Sequence, residues 1–282
     1  MQKLEKVDQV REYLGLHRRA GRRIGFVPTM GALHEGHRSL MRVARKDCEQ
    51  VVVSIFVNPT QFCPGEDFEK YPRMLAADLA ACQADGVDAV FCPPVSEVYP
   101  PGSATSVTVK RLTEGLCGGH RPGHFDGVTT VVAKLFNIVQ PDLAYFGQKD
   151  AQQATVLRRM VRDLWWPIEV IVCPTVREPD GLAMSSRNAY LSPEQRRQAL
   201  SLSAALFRAR DEILAGQQDV DALVASMRQR IESAGPCSID YIEIVDAEEL
   251  TSMKAARGRC LVALAVRIGG TRLIDNVVVD AG

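Results

Sequence analysis

Apolar positions change period in a regular way along this chain. Over residues 3–20 they fall at Leu4, Val7, Val10, Leu14 and Leu16, the spacing of an amphipathic helix that Gly21 would end. A short apolar run at 24–27 follows, then a glycine-containing turn, then helical spacing over 39–48. Residues 51–57 are a continuous β-branched and aromatic run, which predicts a strand buried on both faces. Residues 67–85 read as loop and then helix, with Leu75, Leu79 and Cys82 on one side. Residues 89–92 read as a third strand, stopped by Pro93 and Pro94. The pattern continues with a short strand at 105–110, a donor-rich loop at 118–125, a helix at 127–139 and a strand at 141–146. A helix starting near Ala151 and a strand at 168–172 complete it. Helices alternating with buried strands predict an α/β fold, a Rossmann-like doubly wound parallel sheet.

The character changes after Ser192-Pro193-Glu194. Ser192 reads as an N-cap and Pro193 as the first position of a helix over 193–215. A second helix at 219–234 and strands at 239–245, 259–266 and 271–279 follow, with Ile268-Gly269-Gly270-Thr271 as a hairpin turn. This predicts a smaller C-terminal α+β domain. The division adopted is 1–175 and 176–282, with the boundary in the 175–190 region.

Composition narrows the class. Apolar residues make up 46% and charged residues 24%, and 34 basic side chains balance 34 acidic ones, so bulk charge points to no nucleic-acid partner. The longest apolar runs are too short to span a membrane, and the N-terminus MQKLEKVDQV lacks the apolar region of a signal peptide. Eight scattered cysteines with no Cys-x-x-Cys read as free thiols in a reducing cytoplasm.

The candidate chemistry centres on PTMGALHEGH (28–37), which lies between a predicted strand and a predicted helix. His34 and His37 then fall at the mouth of the helix, where backbone N–H groups and the helix dipole attract anions. Gly31 and Gly36 would supply backbone angles closed to other residues. Helix capping is a competing reading of the histidine pair. A zinc site is another, but no third ligand lies nearby. Asn58 and Gln61 sit beyond the end of the second strand, where their amides suit a hydroxy acid; Asn58 before Pro59 is also an ordinary turn. Asp78 is a candidate for holding a magnesium-bound water, with a solvated helix face as the alternative. Arg121 and His124 are equally readable as anion ligands and as loop surface. Gly147-Gln148-Lys149-Asp150 repeats the strand–glycine–turn–helix arrangement, with Lys149 placed to neutralise phosphate charge and Gln153 aimed at the same cleft. Met184-Ser185-Ser186-Arg187 offers two hydroxyls and a guanidinium, as a loop closing on a triphosphate needs. A plain turn is its competing reading. Together these parts suit attack of a carboxylate on the α-phosphate of ATP.

On these stretches the sequence resembles the pantothenate synthetase (pantoate–β-alanine ligase) family across essentially the whole chain. The resemblance rests on PTMGALHEGH (28–37), VVVSIFVNPTQF (51–62), RPGHFDGV (121–128), YFGQKDAQQ (145–153), DGLAMSSRN (180–188) and RLIDN (272–276). It implies an ATP-dependent ligase working through pantoyl adenylate, with Mg²⁺ accompanying ATP and a cytoplasmic homodimer as the assembly. It further implies that Met30, Gly31, Ala32, Leu33, His34, Glu35, Gly36 and His37 line the ATP site, with His34 and His37 on phosphate and His37 also a proton donor. By the same resemblance Gly147, Gln148, Lys149 and Asp150 contact ATP, Lys149 on phosphate and Asp150 on ribose. Val176 packs near adenine, and Met184, Ser185, Ser186 and Arg187 close over the phosphates from a C-terminal lid. Gln61 and Gln153 hold pantoate, with Pro28, Met30 and Asn58 beside the pantoate and β-alanine positions. Gln148 stands where the family usually has Glu, and Cys117 and His120 receive no role. The runs 51–57 and 105–110 are the candidate dimer contacts. Three alternatives remain: another nucleotidyltransferase lacking the Gln61–Gln153 pair, a non-catalytic nucleotide sensor, and a zinc hydrolase.

Overall fold

The computed structural model describes all 282 residues. It divides into two compact units, the first made of Met1–Lys110, Arg121–Gly147 and Val156–Pro174. The second contains Arg111–His120, Gln148–Thr155 and Thr175–Gly282. The chain thus passes into the second unit at 174/175, and two short segments from within 1–175 group with that unit too.

The first unit is built on six parallel strands: β1 (Gln2–Leu4), β2 (Ile24–Thr29), β3 (Gln50–Ile55), β4 (Ala89–Phe91), β5 (Leu143–Gly147) and β6 (Glu169–Cys173). Their order is β1-β4-β3-β2-β5-β6, so the direction of winding reverses between β2 and β5. That reversal opens a crevice beyond the carboxyl ends of these two strands, the usual ligand position in a doubly wound sheet. The connecting helices are α1 (Val7–Arg19), α2 (Glu35–Asp47), α3 (Leu75–Ala84) and the short α4 (Val95–Val98). After them come α5 (Leu116–His120), which belongs to the second unit, α6 (His124–Val139) and α7 (Ala151–Asp163). Alternate strand residues face opposite layers. Val27, Val51 and Val53 pack with Leu40, Met41 and Ala44 of α2, whereas Phe26 meets Phe136 of α6 edge-on at 6.4 Å.

In the second unit α8 (Pro193–Leu214) and α9 (Val220–Ser233) share a core with an antiparallel sheet in the order β7 (Cys237–Asp246), β8 (Gly258–Ile268), β9 (Thr271–Ala281). Ser192 caps α8 through a capping box with Gln195. Ile268 pairs with Thr271 across the two-residue glycine turn, as the sequence predicts.

Two expectations change. Leu4 belongs to an edge strand, and the first helix begins only at Val7. Residues 105–110 form no strand, because α6 takes the hydrogen bonds a neighbouring strand would offer: Val107 N–H donates to Thr130 Oγ1 at 2.9 Å, and the Thr129 hydroxyl donates to the Val107 carbonyl. Val51, Val52 and Val53 are wholly buried inside the sheet, and within the run 51–57 only Ile55 and Val57 are partly exposed.

Helix α7 ends in a Schellman arrangement: Trp165 N–H bonds the Arg162 carbonyl and Trp166 N–H the Val161 carbonyl. The left-handed position of this motif favours glycine, yet Trp165 occupies it at φ 54° and is 91% exposed. Since an exposed ring has little packing to lose, Trp165→Gly should raise stability by about 0.5–1 kcal/mol, read as a higher urea midpoint at unchanged m. An equal or lower midpoint would show that the indole is held by contacts worth more than the backbone strain.

Candidate active site

The turn after β2 is shaped by residues far away in sequence. Gly31 and Ala32 are both left-handed, at φ 82° and 50°. Asp78 of α3 holds them there: its carboxylate accepts Ala32 N–H at 3.0 Å and Leu33 N–H at 2.8 Å. A Cβ on Gly31 would lie 2.9 Å from the Asp78 carboxylate and 3.1 Å from Ile55, so this position needs glycine for space as well as for φ. Asp78 is 3% exposed, not the solvated helix residue that its sequence neighbours suggest. Both of its oxygens serve the turn.

The histidines lie at the start of α2, as predicted. His34 is the N-cap, and its Nδ1 accepts Gly36 N–H at 3.1 Å, while His37 Nδ1 accepts His34 N–H at 3.3 Å. A backbone amide can only donate, so neither Nδ1 carries a proton and each neutral ring has its proton on Nε2. The rings stand 4.2 Å apart, centroid to centroid, and are half-buried. The capping reading therefore holds for the pair. Gly36 has a different role from the one expected. It is helical, and a Cβ there would strike the His34 ring at 2.8 Å, so its bare Cα lets that ring fold back over the first turn.

Asn58 caps and Gln61 ends a single 3-10 turn, Pro59–Gln61, after β3. Asn58 is 1% exposed; it donates to the Gly127 carbonyl and to Gln61 Oε1, both at 3.1 Å, and accepts from Tyr99 at 2.9 Å. Burial raises the Tyr99 hydroxyl above its ordinary range, so it remains the donor. Gln61 Nε2 lies 2.9 Å from Met30 Sδ. Asn58 thus positions, while the half-buried Gln61 presents. Gly127 of α6 has no room for a side chain, since a Cβ would meet the Thr60 carbonyl and lie 2.7 Å from Gln61 Cα. The donor-rich segment 118–125 is not an open loop: α5 and the start of α6 occupy it. Arg121 and His124 are engaged with Glu66 and the Gln61 carbonyl.

Gly147 ends β5 in the first unit, and the remaining site residues lie in the second. Gln148–Asp150 forms a 3-10 turn that Asn276 of β9 anchors: Asn276 Nδ2 donates to the Gln148 and Lys149 carbonyls at 3.0 and 2.9 Å, and Gln148 Nε2 donates to Asn276 Oδ1 at 3.0 Å. Asp275 beside it is 3% exposed and takes both arms of Arg177 at 2.7 and 2.9 Å. Sequence reasoning gave this pair no role. Its signal was an adjacent Asp and Asn between the apolar stretches Leu273-Ile274 and Val277–Val279 of β9. Gln152 is buried and donates to the Leu112 and Gly115 carbonyls at 2.9 Å, which leaves the half-exposed Gln153 as the amide that can face a ligand. Met184 N–H bonds the Val176 carbonyl at 3.0 Å, so these two candidates face each other across a narrow hairpin. Ser185 caps the turn Ser186–Tyr190 by accepting Arg187 N–H at 3.2 Å.

Cys82 and Cys92 are poor nucleophiles: burial pushes Cys82 up to about 12 and Cys92 up to about 11. No group of three or more His, Cys, Asp or Glu residues is arranged to hold a metal ion, and no helix is long and apolar enough to cross a membrane.

The family model described as pantoate-beta-alanine ligase matches residues 2–278. The pantothenate synthetase of Moorella thermoacetica is 58% identical over 280 residues, covering 99% of each chain. A crystal structure of pantothenate synthetase from Thermus thermophilus superposes with a TM-score of 0.92 at 46% identity, covering 98% of this chain and 99% of that one. A pantoate-beta-alanine ligase from Francisella tularensis, in complex with beta-gamma ATP and beta-alanine, superposes with a TM-score of 0.81 at 35% identity, over 98% and 97% of the two chains.

Proposed function

We infer that this chain, which belongs to the pantoate-beta-alanine ligase family, joins pantoate to β-alanine using ATP, through a pantoyl adenylate. The observation that carries the mechanism is the imidazole pair at the N-terminus of α2, with both Nδ1 atoms committed to backbone and the ring protons on Nε2.

In the first half-reaction a pantoate carboxylate oxygen forms a bond to the α-phosphorus, and the bond from that phosphorus to the pyrophosphate oxygen breaks. No proton need move. What must be stabilised is charge spreading over phosphate oxygens. The Nε2–H groups of His34 and His37 are neutral donors for it at the positive end of α2, and Lys149, Ser185, Ser186 and Arg187 are assigned to the same phosphates. Gln61 and Gln153 hold the hydroxy acid. In the second half-reaction the β-alanine ammonium first gives one proton to solvent, the amine nitrogen bonds to the acyl carbon, the bond to the AMP oxygen breaks, and the nitrogen loses a second proton, to the departing phosphate or to solvent, as the amide forms. Exposed Asp150 is assigned to the ribose, and Val176 and Met184 to the adenine.

Magnesium enters this scheme with the nucleotide. The chain builds no group of three or more metal-ligating side chains, and Asp78 turns each of its oxygens to an N–H of the turn. The ion would be held by phosphate oxygens and water, as is usual for this metal. The eight free cysteines fit a reducing cytoplasm. The exposed stretch 105–110 is the surface assigned to a homodimer contact.

Heavy-oxygen label in the pantoate carboxylate tests the bond order. One labelled oxygen should appear in AMP; label in inorganic phosphate would instead demand an acyl phosphate and overturn the adenylate. Lys149→Ala should slow pyrophosphate release in a single turnover about a hundredfold or more with the fold unchanged, whereas an effect confined to β-alanine saturation would remove Lys149 from phosphate.

A further inference from the structure

Gln61 sits on one isolated turn of 3-10 helix, too short to hold a side chain in a fixed direction by itself. Asn58 steadies the turn from the upstream side. On the downstream side lies an ordered chain of four groups, all within the first unit. The Glu66 carboxylate takes the side edge of the Arg121 guanidinium, Nε to Oε1 and Nη2 to Oε2, each at 2.6 Å. Arg121 Nη1 then reaches His124 Nε2 at 2.9 Å, and His124 Nδ1 reaches the Gln61 carbonyl at 2.7 Å. Polarity along this chain is forced. A guanidinium has no acceptor, so His124 Nε2 must be the acceptor and the ring proton must lie on Nδ1, donating to Gln61. Arg121 Nη2 adds a longer bond to the same carbonyl at 3.4 Å.

We propose that Glu66 is a positioning residue for the hydroxy-acid pocket: it orients Arg121, which fixes the His124 tautomer, which in turn holds the backbone of Gln61 and so aims its amide. The inference rests on the reading of Gln61 as a pantoate ligand. Glu66 is suited to the task. Burial opposes its ionisation, but the hydrogen bonds and charge of Arg121 outweigh this and keep the carboxyl below its usual range. Its Oε2 also accepts Cys63 N–H at 3.0 Å, which ties the carboxylate to the loop leaving the 3-10 turn. Without the carboxylate, the guanidinium loses the bidentate clamp that points Nη1 at His124. Glu66 touches neither reacting atom nor substrate in this scheme.

The test is pantoate-dependent pyrophosphate exchange without β-alanine, on the full chain. Glu66→Gln should raise the KM for pantoate about tenfold or more while leaving the KM for ATP unchanged, and Glu66→Asp should recover part of the loss. In a Gln61→Ala background, Glu66→Gln should add no further increase, because the residue through which it acts is gone. Additive effects, or a rise in both KM values together, would overturn the proposal and leave Glu66 a purely structural residue. If Gln61→Ala itself leaves the pantoate KM unchanged, the parent assignment of Gln61 fails instead, whatever Glu66 does.

Discussion

Replacing Asp78 by alanine should cost the protein about 3 kcal/mol of stability and lower pyrophosphate exchange by about a hundredfold or more. Two hydrogen bonds to an ionised carboxylate are lost at once, at 3.0 and 2.8 Å, in a place where the acceptor is 3% exposed. Each such bond is worth roughly 1.5–3 kcal/mol, and the Ala32 and Leu33 N–H groups are left without their acceptor. The strained φ of 50° at Ala32 then has nothing to hold it. Relaxation of that residue moves Leu33 and the His34 cap, so catalysis falls with stability. Urea unfolding and the exchange rate check both halves. Asp78→Asn keeps one acceptor but turns an NH₂ toward the second donor, and it should fall between wild type and alanine. A variant that loses exchange yet unfolds at the wild-type midpoint would mean that Asp78 acts on the substrate rather than on the turn.

The second large effect is expected at Gly127, where two simple arguments give opposite signs. On helix propensity alone, Gly127→Ala in α6 should stabilise by about 1 kcal/mol. Packing predicts the reverse. The added Cβ would lie 2.7 Å from Gln61 Cα and press on the Thr60 carbonyl, whereas ordinary contact begins at 3.4 Å. Both obstacles are backbone, so they move only if the whole 3-10 turn moves. Overpacking of this kind costs about 1–3 kcal/mol, which outweighs the propensity gain. The displaced turn carries Gln61 away from pantoate, and the Gly127 carbonyl also moves off Asn58. The expected result is a lower urea midpoint and a pantoate KM raised about tenfold or more. A stabilised, fully active Gly127→Ala protein would show that propensity wins and that the helix and the turn are not in close approach.

Much of this architecture is carried by local patterns. Continuous apolar runs and period-3.6 apolar spacings place β2, β3 and β5 between their helices, and Ser192-Pro193 and Gly269-Gly270 mark a helix start and a hairpin turn. His34 and His37 are legible because the strand, the glycine and the helix lie next to one another in sequence. Other parts are set by partners too distant for any pattern. Asp78 lies 46 residues from Ala32, and Asn276 is 128 residues from Gln148. A polar residue on a helix reads as solvent-facing unless its distant partner is known. Residues 105–110 mislead for the same reason: their β-branched composition suits a strand, but Thr129 and Thr130 of α6 take the backbone hydrogen bonds of Val107. Gly36 shows the limit at a single residue. Its value lies in the ring that packs over it, which neither φ preference nor spacing reveals.

The central claim is that His34 and His37 stabilise adenylation of a hydroxy acid. The most direct measurement is exchange of labelled pyrophosphate into ATP, with pantoate present and β-alanine absent, for wild type and His37→Ala. Exchange that requires pantoate and falls about a hundredfold or more in the variant is the predicted result. A folded, ATP-binding wild type with no pantoate-dependent exchange would contradict it, as would a His37→Ala protein that exchanges at the wild-type rate.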